Sequence, residues 1–201
     1  MKNSLLGIVI IILLAGGCGD QPELAPLDAD DVILAFGDSL TYGTGAREEE
    51  SYPAVLAQLS GRQVINEGVP GEVTAEGLER LPVLLEEYQP RLVILCHGGN
   101  DFLRQVDPAS MESNVRSMIR LAQERNIPVV LLGVPKPGLF LSSAEVYKTI
   151  AESTAVVFIE DLLPEVLADR ALKSDTIHPN KEGYRIMAEN IYRELQEAGA
   201  L

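Results

Sequence analysis

Leu92-Val93-Ile94-Leu95-Cys96 is an unbroken apolar run that passes directly into His97-Gly98-Gly99-Asn100-Asp101. Five consecutive apolar residues closed by a glycine-rich turn predict a strand buried on both faces, as in a parallel sheet covered by helices on each side. Upstream, Val32 to Phe36 predicts a strand and Tyr52 to Leu59 a helix stopped at Gly61. Val64 to Asn66 reads as a second strand, followed by a helix from Thr74 to Tyr88, which Pro82 is expected to split or kink. Downstream come a helix over 109–125, a strand over 129–134, a helix over 143–153, a strand over 156–159 and a final helix over 181–197. Strict alternation implies an α/β fold whose parallel strands are joined by right-handed crossovers. Functional groups in such folds gather at the carboxyl ends of the strands. The turns Gly37-Asp38-Ser39, Glu67-Gly68-Val69-Pro70-Gly71 and Gly98-Gly99-Asn100-Asp101 are therefore expected to meet at one rim.

The chain is 201 residues long, 46% hydrophobic and 23% charged, which suits one folded domain and not a disordered segment. Its net charge of −14 repels phosphate backbones, and no basic block offers a local exception, so nucleic-acid partners are excluded. Two histidines and two cysteines cannot assemble a Cys/His zinc finger or a two-disulfide framework. No metal and no organic cofactor is expected.

The first 17 residues read as a removable export signal. Lys2 is a small basic start, Leu5 to Leu14 is apolar, and Ala15-Gly16-Gly17 are small. Ten residues rise about 15 Å as a helix, too little to span a bilayer. Leu14-Ala15-Gly16-Gly17-Cys18 also resembles the bacterial lipobox, which implies a lipidated Cys18 as the mature N-terminus. Residues 18–31 then read as the acylated cysteine with a Pro- and Asp-rich tether, and 32–201 as the folded domain. The expected location is the bacterial cell envelope, membrane-anchored through Cys18. Cys96 is left without a disulfide partner and reads as a small buried hydrophobe.

Nucleophilic catalysis needs a serine, a base within hydrogen-bond reach, and a group that orients the base. His178 lies in Asp175-Thr176-Ile177-His178-Pro179, where an aspartate three residues ahead can reach the ring Nδ1 and leave Nε2 for a serine. Ser39, at the end of the first strand, is exposed at the rim. Backbone N–H groups of Ser39 and Gly71 and a side-chain amide such as Asn100 are available for an oxyanion hole. Asp38 reads as a turn brace, Asp101 as a cap for the helix after it, and His97 as a hydrogen-bonded, partly buried histidine.

Phe36-Gly37-Asp38-Ser39-Leu40-Thr41-Tyr42-Gly43 resembles the first block of the SGNH (GDSL) hydrolases. Asn66-Glu67-Gly68-Val69-Pro70-Gly71 is similar to their second block, Gly98-Gly99-Asn100-Asp101 to their third and Asp175-Thr176-Ile177-His178-Pro179 to their last. The resemblance runs from Val32 to about Leu195 and is nearest to the bacterial thioesterase I/lysophospholipase type, including Gly77-Leu78-Glu79-Arg80-Leu81-Pro82. It implies a three-layer αβα, flavodoxin-like sheet of about five strands. It also implies Ser39 as nucleophile, His178 as base, Asp175 as its orienting group, and Ser39, Gly71 and Asn100 as oxyanion donors. The second block leaves Gly68 as an alternative, and Gly71 is favoured by its count from Asn66. The implied activity is hydrolysis of carboxylic esters or thioesters, on a small-molecule or lipid ester, through an acyl-enzyme. Phe102, Leu103, Leu139 and Phe140 are candidates for lining an acyl pocket.

A bimetal phosphoesterase is disfavoured by the shortage of histidine ligands. An α/β-hydrolase is disfavoured because no Gly-x-Ser-x-Gly elbow surrounds Ser39. Deacetylation of a polysaccharide and a non-catalytic envelope lipoprotein are the remaining alternatives.

Overall fold

The computed structural model describes residues 22–136 and 142–201. Five parallel strands form one sheet: β1 (Val32–Gly37), β2 (Gln63–Gly68), β3 (Leu92–Cys96), β4 (Val129–Leu132) and β5 (Val157–Ile159), in the order β2-β1-β3-β4-β5. Every residue of β3 is buried, so its uninterrupted apolar run reflects burial on both faces. Among the described residues eight α-helices accompany the sheet: α1 (Ser39–Tyr42), α2 (Tyr52–Ser60), α3 (Thr74–Tyr88), α4 (Gly99–Leu103), α5 (Pro108–Gln123), α6 (Glu145–Thr154), α7 (Leu162–Ala168) and α8 (Lys181–Glu197). Helices α2, α7 and α8 pack together as one layer, and α3, α5 and α6 as the other. This is the expected three-layer α/β architecture.

Local chemistry sets the main boundaries. Asn180 caps α8 by accepting from Glu182 N at 3.0 Å and Gly183 N at 3.1 Å. Asp107 caps α5, accepting from Ser110 N, with Pro108 at the first helical position. Short helices α1, α4 and α7 carry too few turns to show a period, and the sequence pattern does not predict them.

Three expectations change. Helix α3 is a single helix through Pro82, held on both sides of the proline by buried Leu81, Leu84 and Leu85. Strand β4 stops at Leu132, where its partner β5 ends: the last ladder bond runs from Gly133 N to Ile159 O. Part of the stretch read as a tether lies against the domain. Leu24 N and Leu27 N donate to Ala198 O and Ala200 O at 2.8 and 2.9 Å, and both leucine side chains are buried.

Gly37 ends β1 in register with Gly68 of β2 on one side and Cys96 of β3 on the other. A Cβ here would lie 2.1 Å from Cys96 O and 2.4 Å from Thr41 Oγ1, so only glycine lets the three strand ends close together. Gly37→Ala is expected to cost about 1–3 kcal/mol of overpacking strain, lowering the thermal midpoint by roughly 3–9 °C. A melt of the purified variant with an unchanged midpoint would show that the junction is not tight.

Candidate active site

Strand β1 lies between β2 and β3; the chain leaves β1 toward β2 and leaves β3 in the opposite direction, toward β4. The crevice at that reversal is where ligands reach an open α/β sheet. Ser39 stands there, at the start of α1, whose N-cap Asp38 accepts from Leu40 N at 3.0 Å. Gly98, at φ +111° in the region L side chains avoid, turns the chain from β3 into α4 and delivers Asn100 to the same crevice.

His178 arrives from the loop before α8. That loop is closed by a bridge between Lys173 and Pro179 and by Ser174 N donating to His178 O at 3.0 Å. The ring spans two partners: Nε2 lies 3.0 Å from Ser39 Oγ, and Nδ1 lies 2.7 Å from Asp175 Oδ2. The other carboxylate oxygen of Asp175 accepts from Ile177 N and His178 N at 2.8 and 2.9 Å. Burial works against the charge on Asp175, but the His178 ring and these two N–H groups prevail and hold its carboxyl below the usual range. An ionised carboxylate at Nδ1 keeps the ring proton there, leaving Nε2 to accept from the serine hydroxyl. Ser39, Asn100 and His178 line one cleft, with Leu40, Leu103, Val134, Pro135, Leu167 and Ile177 as its apolar walls.

The sequence reading missed what holds the β2–α3 turn. Glu72 follows Gly71, and its side chain points inward at 6% exposure. Arg80 grips that carboxylate with Nε and Nη2, both at 2.9 Å, while His97 Nε2 lies 3.0 Å from Oε2. The same guanidinium binds Glu67 O at 3.0 Å and the Glu67 carboxylate at 2.9 Å, stacking 4.5 Å over the Phe36 ring. One arginine thereby staples both ends of the turn that carries Gly71. The backbone carbonyl of Glu72 accepts from Asn100 Nδ2 at 3.0 Å, and Arg104 Nη2 donates to Gly71 O at 2.6 Å. Glu72 thus joins the Gly71 turn to the Asn100 amide.

The structure brings Ser39, His178, Asp175 and Asn100 together. Gly71 sits on the neighbouring stapled turn. Both amide protons of Asn100 are engaged, one by Glu72 O and one by Asp38 Oδ2 at 3.2 Å, so donation to a ligand exchanges the longer contact. Burial raises the Asp38 carboxyl above its usual range, against the nearby His97 and the Leu40 N–H. Asp101 does not cap the helix after it. Its carboxylate accepts from Thr74 N at 2.9 Å and Thr74 Oγ1 at 2.6 Å, tying down the start of α3. His97 is fully buried, not partly, and its Nδ1 has no hydrogen-bond partner among the described residues. Leu103 lines the cleft, whereas Phe102 faces Tyr147 edge-on and borders an adjoining groove. Leu139, Phe140 and Cys18 lie outside the described residues.

Glu72 gives the site an acid limit. Burial opposes its charge, yet the bonds from His97 and Arg80 bring its carboxyl down to about 2. An unfolded glutamate protonates near ~4.3. Between these values the unfolded chain takes up a proton that the folded one refuses, so stability is present above ~4.3 and is lost as pH falls toward 2. Glu72→Gln is expected to be less stable at pH 7 but to lose less between about pH 4.5 and 2.5. Thermal melts across that interval check this, and an unchanged slope in the variant would remove Glu72 from the acid-sensitive groups.

The sequence profile of the GDSL-like Lipase/Acylhydrolase family matches residues 35–186. Thioesterase 1/protease 1/lysophospholipase L1 of Escherichia coli K12 is 30% identical over 176 residues, covering 84% of this chain and 85% of that protein. An arylesterase of Vibrio mimicus is 33% identical over 182 residues, covering 85% and 91%. The crystal structure of the psychrotrophic esterase EstA from Pseudoalteromonas sp., inhibited by monoethylphosphonate, superposes with a TM-score of 0.74 at 27% identity, covering 84% of this chain and 98% of its own. With the family profile spanning most of its length and a sheet that matches solved esterases, the chain belongs to the GDSL-like lipase/acylhydrolase family and is a carboxylic ester hydrolase of the SGNH fold.

Proposed function

We propose that the protein is an exported, lipid-anchored serine esterase/thioesterase, with Ser39 as nucleophile, His178 as general base and Asp175 as its orienting carboxylate. The observation that carries the catalytic part is the unbroken chain from Ser39 Oγ to His178 Nε2 and from His178 Nδ1 to Asp175, opening into a cleft shared with Asn100. Ser39 Oγ attacks the ester carbonyl as Nε2 takes its proton, giving a tetrahedral oxyanion held by the N–H groups of Ser39 and Gly71 and by the Asn100 amide. Collapse expels the alcohol or thiol, which leaves with the proton from Nε2, and the acyl group stays on Ser39. His178 then deprotonates a water that attacks the acyl-enzyme, and collapse returns the free acid and the serine hydroxyl.

The apolar walls of the cleft support an acyl substrate such as an aryl ester, an acyl thioester or a lysophospholipid, in keeping with the names of the similar proteins. Leu103 is the ridge between this cleft and the groove bordered by Phe102, Val106 and Met111, and it stands 47% exposed. The lipobox-like run ending at Cys18 supports the anchor, as does the burial of Cys96, which withdraws it from pairing. Among the described residues no helix is long and apolar enough to cross a membrane.

Ser39→Ala or His178→Ala is expected to lower kcat by about 10⁴ or more, and Ser39→Ala to abolish labelling by a fluorophosphonate probe. Asn100→Ala, which removes one oxyanion donor, is expected to cost on the order of 10²–10³. Full turnover in Ser39→Ala would sink the assignment. Leu103→Asn is expected to lower p-nitrophenyl octanoate turnover relative to acetate by several-fold, about 1–2 kcal/mol of lost apolar contact. An unchanged ratio would take Leu103 out of the acyl site.

A further inference from the structure

We infer that the anchored enzyme holds its active site away from its own membrane and therefore acts on esters that arrive from the aqueous side, not on lipids of the leaflet that anchors it. This rests on the lipidated Cys18 proposed above. Every catalytic group stands at the carboxyl ends of the strands: Ser39 after β1, Gly71 after β2, Asn100 after β3, and His178 just before α8. The start of the described chain is fastened at the opposite edge. Leu24 N and Leu27 N bind Ala198 O and Ala200 O, beyond the far end of α8, and both side chains are buried. Arg62, one residue before β2 begins, donates Nη2 to Leu27 O at 3.0 Å. The attachment therefore belongs to the folded body and is not a loose tail.

Two lengths decide the outcome. Helix α8 has 17 residues and so is roughly 26 Å long, with His178 beyond its first turn and Leu24 bonded beyond its last. Six residue steps separate Cys18 from Leu24, which at full extension span at most about 22 Å in any arrangement. With the mouth of the cleft face-on to the anchoring bilayer and α8 upright, Leu24 stands above the surface by about the length of α8, farther than the linker reaches. The net charge of −14 adds repulsion from anionic headgroups. The constraint narrows the substrate class to dissolved esters and thioesters, including lysolipid monomers in solution.

The geometry can be tested apart from biological lipidation. The chain has two cysteines and Cys96 is buried, so a maleimide lipid couples the chain beginning at Cys18, which keeps every described residue, through Cys18 alone. The coupled protein is placed on vesicles carrying a two-chain fluorogenic ester lipid that the uncoupled protein hydrolyses in detergent micelles. Vesicles are diluted until encounters between them are negligible. A second variant carries 20 Gly/Ser residues inserted after Gly19. Both are expected to hydrolyse dissolved p-nitrophenyl acetate at the same rate, while the lengthened linker hydrolyses the embedded ester at least ten-fold faster than the native one. Equal rates on the embedded ester, whether high or low, would overturn the inference. Absence of metabolic palmitate label at Cys18 in an expressing bacterium, with esterase activity intact, would instead remove the anchor and leave the catalytic reading standing.

Discussion

The site depends on the closeness with which three strand ends meet around Gly37. With Cys96 O against one side of that residue and Thr41 folding back over it, β1 delivers Asp38 and Ser39 into a gap flanked by the β2–α3 turn and the β3–α4 turn. Any side chain at Gly37 would wedge those ends apart. Ser39 would then move relative to both proposed sources of oxyanion donors. The second requirement is that α8 runs back along the sheet, since this places His178, 139 positions from Ser39, within a hydrogen bond of it.

Around that junction, charge is arranged in two separate circuits. Asp175 and His178 form the outer one, half open to solvent and suited to moving a proton. Glu67, Glu72, Arg80 and His97 form the inner one, which moves nothing and holds the Gly71 turn in place. Buried ion pairs are costly to assemble, and a simple turn could have been closed with apolar side chains. What the inner circuit supplies is direction: bidentate and charge-assisted bonds fix the orientation of a turn that has few side chains of its own to pack. Preorganised donors are what an oxyanion needs, because a turn that had to rearrange would lose much of the stabilisation it offers.

Much of this was legible in the chain. The apolar run of β3 and the alternation around it specified a parallel sheet, because burial on both faces leaves no room for polar alternation. Helices α3 and α8 were readable to the residue because each has four or more turns of period and a clear stop. The proposed triad was readable because Asp175 and His178 share one local turn, and Ser39 sits in a block that resembles a family motif. Helices α1, α4 and α7 were not readable, being too short for periodicity. The roles of Asp101, Arg80 and Glu72 were also hidden, since each acts on a partner between 8 and 28 residues away, with no local spacing to announce it.

By itself the sequence determined the succession of strands and helices and the motifs that carry the proposed reacting groups, all of which depend on neighbouring residues and their periods. Only the tertiary structure decided three further matters. It closed the distance from Ser39 to His178, it set the inner clamp on the Gly71 turn, and it docked Leu24 and Leu27 at the edge of the sheet remote from the cleft. The reason is the same in each case. These contacts join segments far apart along the chain, and their geometry is set by how whole elements pack, which no window of residues contains.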